Sequence, residues 1–151
     1  YNCPGQIVIT GEAAAVAEAG TALKEAGARR VLPLKVSGPF HSPMMRPAGE
    51  ELAKVFARVS MNPLRIPYVA NINAEVITDC GRIEGLLVEQ VSGSVRWQQS
   101  VETMIREGVD TFVEIGPGKT LTGFLRKIDK NVKAYHIGSW EEAVQVCEEL
   151  K

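Results

Sequence analysis

The chain has 151 residues, enough for one domain with a small appended unit, and its 45% hydrophobic and 23% charged residues are typical of a folded globular protein. The formal net charge is -1, so the composition favours neither nucleic acid nor an anionic membrane as a partner. No apolar run approaches the ~20 residues of a transmembrane helix. Three widely separated cysteines without a CxxC pair, and only two histidines, indicate free thiols and no metal site.

The first part of the chain predicts a strand–helix–strand unit. The segment "QIVIT" (6–10) is rich in β-branched residues and is bounded by turn-forming residues, which indicates a strand. The Ala-rich segment 12–27 has helical spacing and ends at a glycine. The segment "RRVLPLKVS" (29–37) predicts a second strand, with its proline indicating an edge position or a bulge. Because this unit begins almost at the first residue, we interpret it as part of a larger arrangement.

Helical patterns dominate the middle of the chain. The segment 45–59 predicts an amphipathic helix, and the segment 82–108 predicts two helices that are interrupted near residues 92–94. Between them, "IPYVANIN" (66–73) predicts a short strand that enters a loop. The expected apolar face of the first of these helices consists of Leu52, Val55, Phe56 and Val59.

The last third of the chain alternates strands with helices. Strands are predicted at 110–116 and 132–138, and a helix is predicted between them at 119–128. A final helix at 139–150 carries the capping-box pattern, Ser139 with Glu142 three residues later. Two strands joined through one helix predict parallel pairing with a right-handed crossover, and hence an α/β layer.

The segment "EIGPGKTLTG" (114–123) resembles a phosphate-binding loop because it follows a strand and opens a helix. The P-loop pattern requires a glycine five residues before Gly118, where this chain has Val113. A tight strand-to-helix turn is therefore the better interpretation. The helix start still offers free N–H groups, so a role near an anionic ligand stays open.

His41 is the strongest candidate for chemistry in the chain. It lies in "GPFHSPMM" (38–45), where Pro39 and Pro43 restrict the backbone on both sides, at the end of a predicted strand and just before a helix. A histidine that acts as a general base requires a nucleophile to activate. No G-x-S-x-G nucleophile turn occurs anywhere in the sequence, so the residues alone leave His41 without a partner.

Four segments together carry a family resemblance: "GPFHSPMM", "NPLRIPYVANINAE", "VEQVSGSVRW" and "FVEIGPGKTLTGFLRK". In wording and spacing they resemble the C-terminal half of bacterial malonyl-CoA:acyl carrier protein transacylases, and the similarity runs along the whole chain. The resemblance implies an α/β-hydrolase-like core with an inserted ferredoxin-like subdomain. Residues 1–37 are then the later part of the small subdomain, and residues 38–151 are the C-terminal part of the core.

The resemblance also implies roles for four residues. His41 matches the family's catalytic histidine, a general base and acid, and Gln90 matches the residue whose backbone carbonyl orients that ring. Phe40 matches a position that selects malonyl over methylmalonyl groups, and Asn2 matches an asparagine that lines the active-site cleft. The nucleophilic serine, the oxyanion-hole glutamine and the arginine for the malonyl carboxylate belong to the other half of the family's sequence. The chain alone is therefore expected to be inactive.

The partners implied by the resemblance are acyl carrier protein, a coenzyme A thioester and the missing N-terminal half of the same enzyme. No cofactor is expected besides malonyl-CoA as substrate, and neither nucleic acid nor a membrane is expected as a partner. The intact enzyme is expected to be a cytoplasmic monomer of fatty acid biosynthesis. Two alternatives stay open: an acyltransferase domain of a polyketide or fatty acid synthase, and a non-catalytic binding module.

Overall fold

The computed structural model describes all 151 residues, which form two compact units of mixed α/β structure. The helical unit comprises residues 8–67 and 77–95, and the sheet unit comprises residues 1–7, 68–76 and 96–151. None of the helices combines the length and the apolar composition that a membrane crossing requires.

The helical unit contains α1 (Ala13–Glu25), α2 (Arg46–Phe56) and α3 (Ile83–Ser92). Glu12 caps α1, because its carboxylate accepts the backbone N–H groups of Ala14 and Ala15, which have no partner within the helix. Short 3₁₀ turns lead into α2 and α3, at Pro43–Met45 and Cys80–Arg82. Helix α2 packs against α3.

The sheet unit is built on two parallel strands, β3 (Thr111–Ile115) and β4 (Lys133–Ile137), joined through α5 (Thr120–Ile128). Their register pairs Thr111 with Lys133 and Ile115 with Ile137. Helix α4 (Trp97–Arg106) packs on α5, and α6 (Trp140–Glu149) packs on β4. The apolar core of this unit contains the buried residues Val101, Leu125 and Val146.

Several elements are confirmed as predicted. The pair of helices around residues 92–94, both strands of the parallel pair and the helix between them form as expected. The capping box of α6 differs in one detail. Ser139 Oγ accepts the N–H of Glu142 at 3.2 Å, and the Glu142 carboxylate accepts the N–H of Gly138, the residue before the N-cap, at 2.6 Å.

The two strands predicted at 6–10 and 29–37 are wrong. Only Gln6 makes a bridge, to Cys3 across a tight turn, and residues 29–37 have no strand structure. A strand requires a neighbour to satisfy its N–H and C=O groups. These segments have no strand neighbour within the chain, and large apolar side chains stay exposed along them, at Ile7, Leu32, Leu34 and Val36.

Two further predictions need correction. The strand predicted at 66–73 is reduced to β1 (Tyr68–Val69), which pairs with an unpredicted strand β2 (Val76–Ile77). The apolar face predicted for α2 is also wrong in part, because Val55 is exposed and Val59 lies beyond the end of the helix. The position of α2 that is buried against α3 is a glycine, which a count of apolar side chains cannot detect.

Candidate active site

His41 occupies a strained turn on the surface of the helical unit. Its φ is 59°, a left-handed conformation that an L-residue other than glycine adopts only at an energetic cost. The turn is closed on one side by Ser42, whose hydroxyl donates to the carbonyl of Pro39 at 2.7 Å. The 3₁₀ turn Pro43–Met45 follows at once and leads into α2. These contacts hold the backbone on both sides of His41, and the residue itself is exposed to solvent.

The ring of His41 is oriented by the main chain of α3. Its Nδ1 lies 2.8 Å from the backbone carbonyl oxygen of Gln90. A carbonyl oxygen can only accept a hydrogen bond, so Nδ1 carries a proton and the neutral ring has its lone pair on Nε2. An imidazole in this tautomer can accept a proton from a hydroxyl or a thiol that approaches Nε2.

The carbonyl of Gln90 is available because α3 ends two residues later. The last four carbonyls of an α-helix have no partner within the helix. At Gly93 the backbone is already extended, and its N–H bonds to the carbonyl of Glu89. The carbonyl of Gln90 is thus free to accept from outside the helix, and it lies at the negative end of the helix dipole.

A close approach of α2 to α3 brings the two partners within reach. Gly49 of α2 is buried, and a Cβ at this position would lie 3.1 Å from the carbonyl oxygen of Val88. Val88 precedes Gln90 by two residues, and Gly49 follows His41 by eight. The glycine therefore permits the spacing between the helix that follows the histidine and the helix that supplies the carbonyl.

Phe40 precedes His41 in the same turn and is half exposed, and a Cβ at Gly38 would lie 3.7 Å from Cζ of its ring. Asn2 lies in the sheet unit, where its N–H donates to the carbonyl of Gln6 at 3.1 Å in the tight turn that also contains the buried Cys3. The structure thus brings the His41 ring into contact with the Gln90 carbonyl, has Phe40 next to His41 in the turn, and describes Asn2 within the other unit.

The glycine-rich turn after β3 is occupied by the protein's own groups. The carboxylate of Glu114 accepts the N–H groups of Leu121 and Thr122 and the hydroxyl of Thr122, at 2.6 to 3.0 Å. Burial raises the pKa of the Glu114 carboxyl, but these hydrogen bonds outweigh that effect, so the pKa lies below its ordinary value of 4.5. Two of the N–H groups that the sequence left open for an anion are therefore used by Glu114.

A second histidine, His136, forms a hydrogen bond with the same turn. His136 on β4 approaches the Gly116 carbonyl through Nε2 at 2.9 Å, and its Nδ1 lies 3.4 Å from the Glu142 carboxylate. The hydrogen bond from the Gly138 N–H lowers the pKa of the Glu142 carboxyl, and the nearby His136 and Lys119 act in the same direction. His136 is mostly buried, unlike His41, so a structural role fits it better.

Two grooves of about 500 and 430 Å³ lie in the sheet unit, and neither is lined by any of the four candidate residues. No group of three or more His, Cys, Asp and Glu side chains is close enough to hold a metal ion.

The sequence did not indicate the contacts that Ser42 and Gly49 make around the histidine turn. The serine after the histidine was visible in the sequence, but a serine can make several different local hydrogen bonds, and the helix approach at Gly49 is a tertiary feature.

Known proteins match this chain along nearly its full length. The family profile described as "Acyl transferase domain" matches residues 1–146. The malonyl CoA-acyl carrier protein transacylase of Bacillus subtilis is 42% identical over 150 residues, which cover 99% of this chain and 47% of that protein. The chain thus spans about half the length of this relative.

Solved structures agree with the sequence comparison. The crystal structure of MCAT from Streptococcus pneumoniae superposes with a TM-score of 0.93 at 44% identity, over 99% of this chain and 48% of that one. A malonyl-transacylase solved in complex with a type II PKS acyl-carrier protein superposes with a TM-score of 0.88 at 36% identity, over 92% of this chain and 45% of that one. The chain therefore belongs to the acyl transferase domain family and is similar to its malonyl-CoA:acyl carrier protein transacylases.

Proposed function

We propose that this chain is the second half of an enzyme that transfers malonyl from malonyl-CoA to the phosphopantetheine thiol of acyl carrier protein. The names of its relatives and its coverage of about half their length support this assignment. Residues 1–37 belong to a ferredoxin-like subdomain, and residues 38–151 belong to an α/β-hydrolase-like core. We place the intact protein, meaning the longer protein that contains this chain, in fatty acid biosynthesis in the cytoplasm, as a monomer without a resident cofactor.

In this proposal His41 transfers protons in both half-reactions. A serine outside this chain attacks the thioester carbonyl while Nε2 of His41 accepts the hydroxyl proton. The imidazolium returns that proton to the departing coenzyme A thiolate, which leaves a malonyl-seryl ester. The thiol of the carrier protein then gives its proton to Nε2 and attacks the ester carbonyl, the bond to the seryl oxygen breaks, and the imidazolium returns the proton to that oxygen, which restores the serine and the neutral histidine. The observation that supports this role is the contact of Nδ1 with the Gln90 carbonyl, which in the neutral ring places the lone pair on Nε2.

Gln90 is a positioning residue in this scheme, because its backbone carbonyl selects the tautomer of His41. Phe40 is the specificity residue in this scheme, since a half-exposed ring in the residue before His41 would crowd an α-methyl group on the acyl chain. One methyl group changes binding by only about 1–3 kcal/mol in such a pocket, so the selection is moderate. Asn2 is proposed to line the cleft on the basis of the family resemblance alone.

The decisive experiment is His41→Ala in the intact protein, with malonyl transfer to the carrier protein followed by mass spectrometry. We expect the rate to fall about 10²- to 10⁴-fold, the usual contribution of a general acid–base group. His136→Gln is the matched control, because it changes the other histidine of this chain and keeps a donor for the Gly116 carbonyl. A His41→Ala rate close to that of wild type would disprove the assignment. Residues 1–151 alone should show no transfer.

A second candidate, an acyltransferase domain of a polyketide system, is favoured by the solved complex of a similar protein with a type II PKS acyl-carrier protein. Competition between malonyl-CoA and methylmalonyl-CoA, and between fatty acid and polyketide carrier proteins, separates the two candidates. We expect Phe40→Ser to raise the share of methylmalonyl transferred by about 10- to 200-fold, the equivalent of one methyl group. A binding module without catalysis would show no transfer with any of these substrates.

A further inference from the structure

Ser42 is the residue of the histidine turn that the proposed reaction does not use. It is 2% exposed, although its neighbours in sequence, His41 and Pro43, are both exposed. A buried hydroxyl requires a hydrogen-bond partner. The partner here is the carbonyl of Pro39, three residues earlier, at 2.7 Å.

The direction of this hydrogen bond is unusual for a serine at the start of a helical turn. Ser42 is the N-cap residue of the 3₁₀ turn Pro43–Met45, and an N-cap hydroxyl normally accepts from an N–H of the turn that follows. Ser42 makes no such capping bond. Its own carbonyl accepts from the N–H of Met45 at 2.9 Å, while its hydroxyl points back and donates to Pro39. The side chain thus ties the turn that contains His41 to the turn that starts α2.

We propose that Ser42 is a positioning residue, whose hydroxyl holds the left-handed backbone of His41 and thereby keeps Nδ1 directed at the Gln90 carbonyl. The left-handed conformation at φ 59° is unfavourable for histidine, so it persists only where surrounding bonds enforce it. Two anchors do so: the Ser42–Pro39 bond fixes the backbone, and the Gln90 carbonyl fixes the ring. Loss of the first anchor lets the backbone relax and moves the ring away from the second.

The kinetic test rests on the proposed function and uses Ser42→Ala, Ser42→Cys and Ser42→Thr in the intact protein. We expect Ser42→Ala to lower kcat about 10- to 100-fold with an unchanged KM for malonyl-CoA, because a shift of a positioned group by about 1 Å costs up to about 10²-fold. Ser42→Thr keeps the hydroxyl and should restore most of the rate, whereas Ser42→Cys, a weak donor of similar size, should lie between.

The matched control is Ser100→Ala. Ser100 is also 2% exposed, and its hydroxyl also donates to a backbone carbonyl, that of Arg96 at 2.9 Å, but it lies within α4 and far along the chain from the histidine turn. This variant removes a buried serine hydroxyl of the same kind. We expect kcat to stay within about twofold of wild type.

A second measurement does not depend on the reaction. Two-bond ¹⁵N–¹H correlation spectra report the tautomer of each imidazole, with His41 assigned by its loss in His41→Ala and His136 as an internal reference. We expect the Nδ1–H tautomer for His41 in wild type, Ser42→Thr and Ser100→Ala, and a mixture of tautomers in Ser42→Ala with His136 unchanged. A general loss of structure would alter both histidines.

The possible outcomes are distinct. If Ser42→Ala retains the wild-type kcat and the Nδ1–H tautomer, or if Ser42→Thr fails to restore them, Ser42 does not position the ring. If the wild-type protein transfers no malonyl group, the proposed function fails, and the spectra still decide whether Ser42 controls the orientation of His41.

Discussion

The approach of α2 to α3 at Gly49 gives a sharp prediction, because the structure shows how much room the glycine leaves. A Cβ at position 49 would lie 3.1 Å from the Val88 carbonyl oxygen, about 0.3 Å short of the 3.4 Å at which ordinary van der Waals contact begins. It would also meet the Val88 and Val91 side chains at 3.7 and 3.8 Å. One methyl group therefore requires a small shift of the helices, whereas a branched side chain requires a larger one.

Two opposing effects decide the result of each substitution. Replacing a helical glycine by alanine favours the helix by about 1 kcal/mol. Overfilling a packed interface costs about 1–3 kcal/mol. For Gly49→Ala these effects nearly cancel, and we expect a loss of unfolding free energy below about 1 kcal/mol. For Gly49→Val the gain in helix propensity is smaller and two more methyl groups face α3, so we expect a loss of about 3 kcal/mol.

The measurement is urea unfolding of the intact protein, with the malonyl transfer rate followed in parallel. Gly85 of α3 provides the matched control, since it is also a helical glycine but a Cβ there would meet nothing within 4 Å. Gly85→Val should change the stability by less than about 0.5 kcal/mol. Equal stability of Gly49→Val and Gly85→Val would show that the space at Gly49 does not determine the helix spacing. The transfer rate should fall with Gly49→Val because Val88 lies two residues from Gln90.

Two further predictions concern acid stability and association. The lowered pKa of Glu114 means that its carboxylate stabilises the folded state above about pH 4.5 and that this contribution is lost as the pH falls through the lower, folded-state value. Thermal melting of Glu114→Gln should therefore differ most from wild type at neutral pH and converge with it in acid, whereas the exposed Glu148→Gln should follow wild type throughout. Residues 1–151 alone should associate in size-exclusion chromatography, because Ile7, Leu32, Leu34 and Val36 are each at least 60% exposed. A sharp monomer peak with a cooperative melt would contradict this.

Local patterns predicted the elements that find their partners within the chain. Strands β3 and β4 pair with each other through α5, so the alternation of strand and helix signals was sufficient to predict their parallel arrangement. The segments at 6–10 and 29–37 have comparable strand signals but no strand neighbour within these residues. Because β-propensity stabilises a strand only through contacts with a neighbouring strand, the local sequence could not show that these two segments would form no strand.

The candidate site divides in the same way. His41 was identifiable from the prolines around it, and the Gln90 contact was expected from the resemblance, since no local rule links residues separated by 49 positions. The hydroxyl of Ser42 could not be assigned a partner from the sequence, because a serine can bond to several nearby backbone groups, and the effect of Gly49 depends on a neighbouring helix. Sequence patterns indicate which groups are reactive, and tertiary contacts determine their orientation.

The proposed chemistry requires an explanation of how a neutral carbonyl can replace the carboxylate that usually supports a catalytic histidine. A carbonyl selects the tautomer as well as a carboxylate does, but it carries no full charge to stabilise the imidazolium. The carbonyl of Gln90, however, lies in the last turn of α3, where unpaired carbonyls give the helix end a partial negative charge. A cation at such a position gains about 0.3–1 kcal/mol at the surface, and up to about 2 kcal/mol where it is partly buried. Since His41 is exposed, the smaller value applies in this chain, and it would grow where a bound substrate excludes water from the ring.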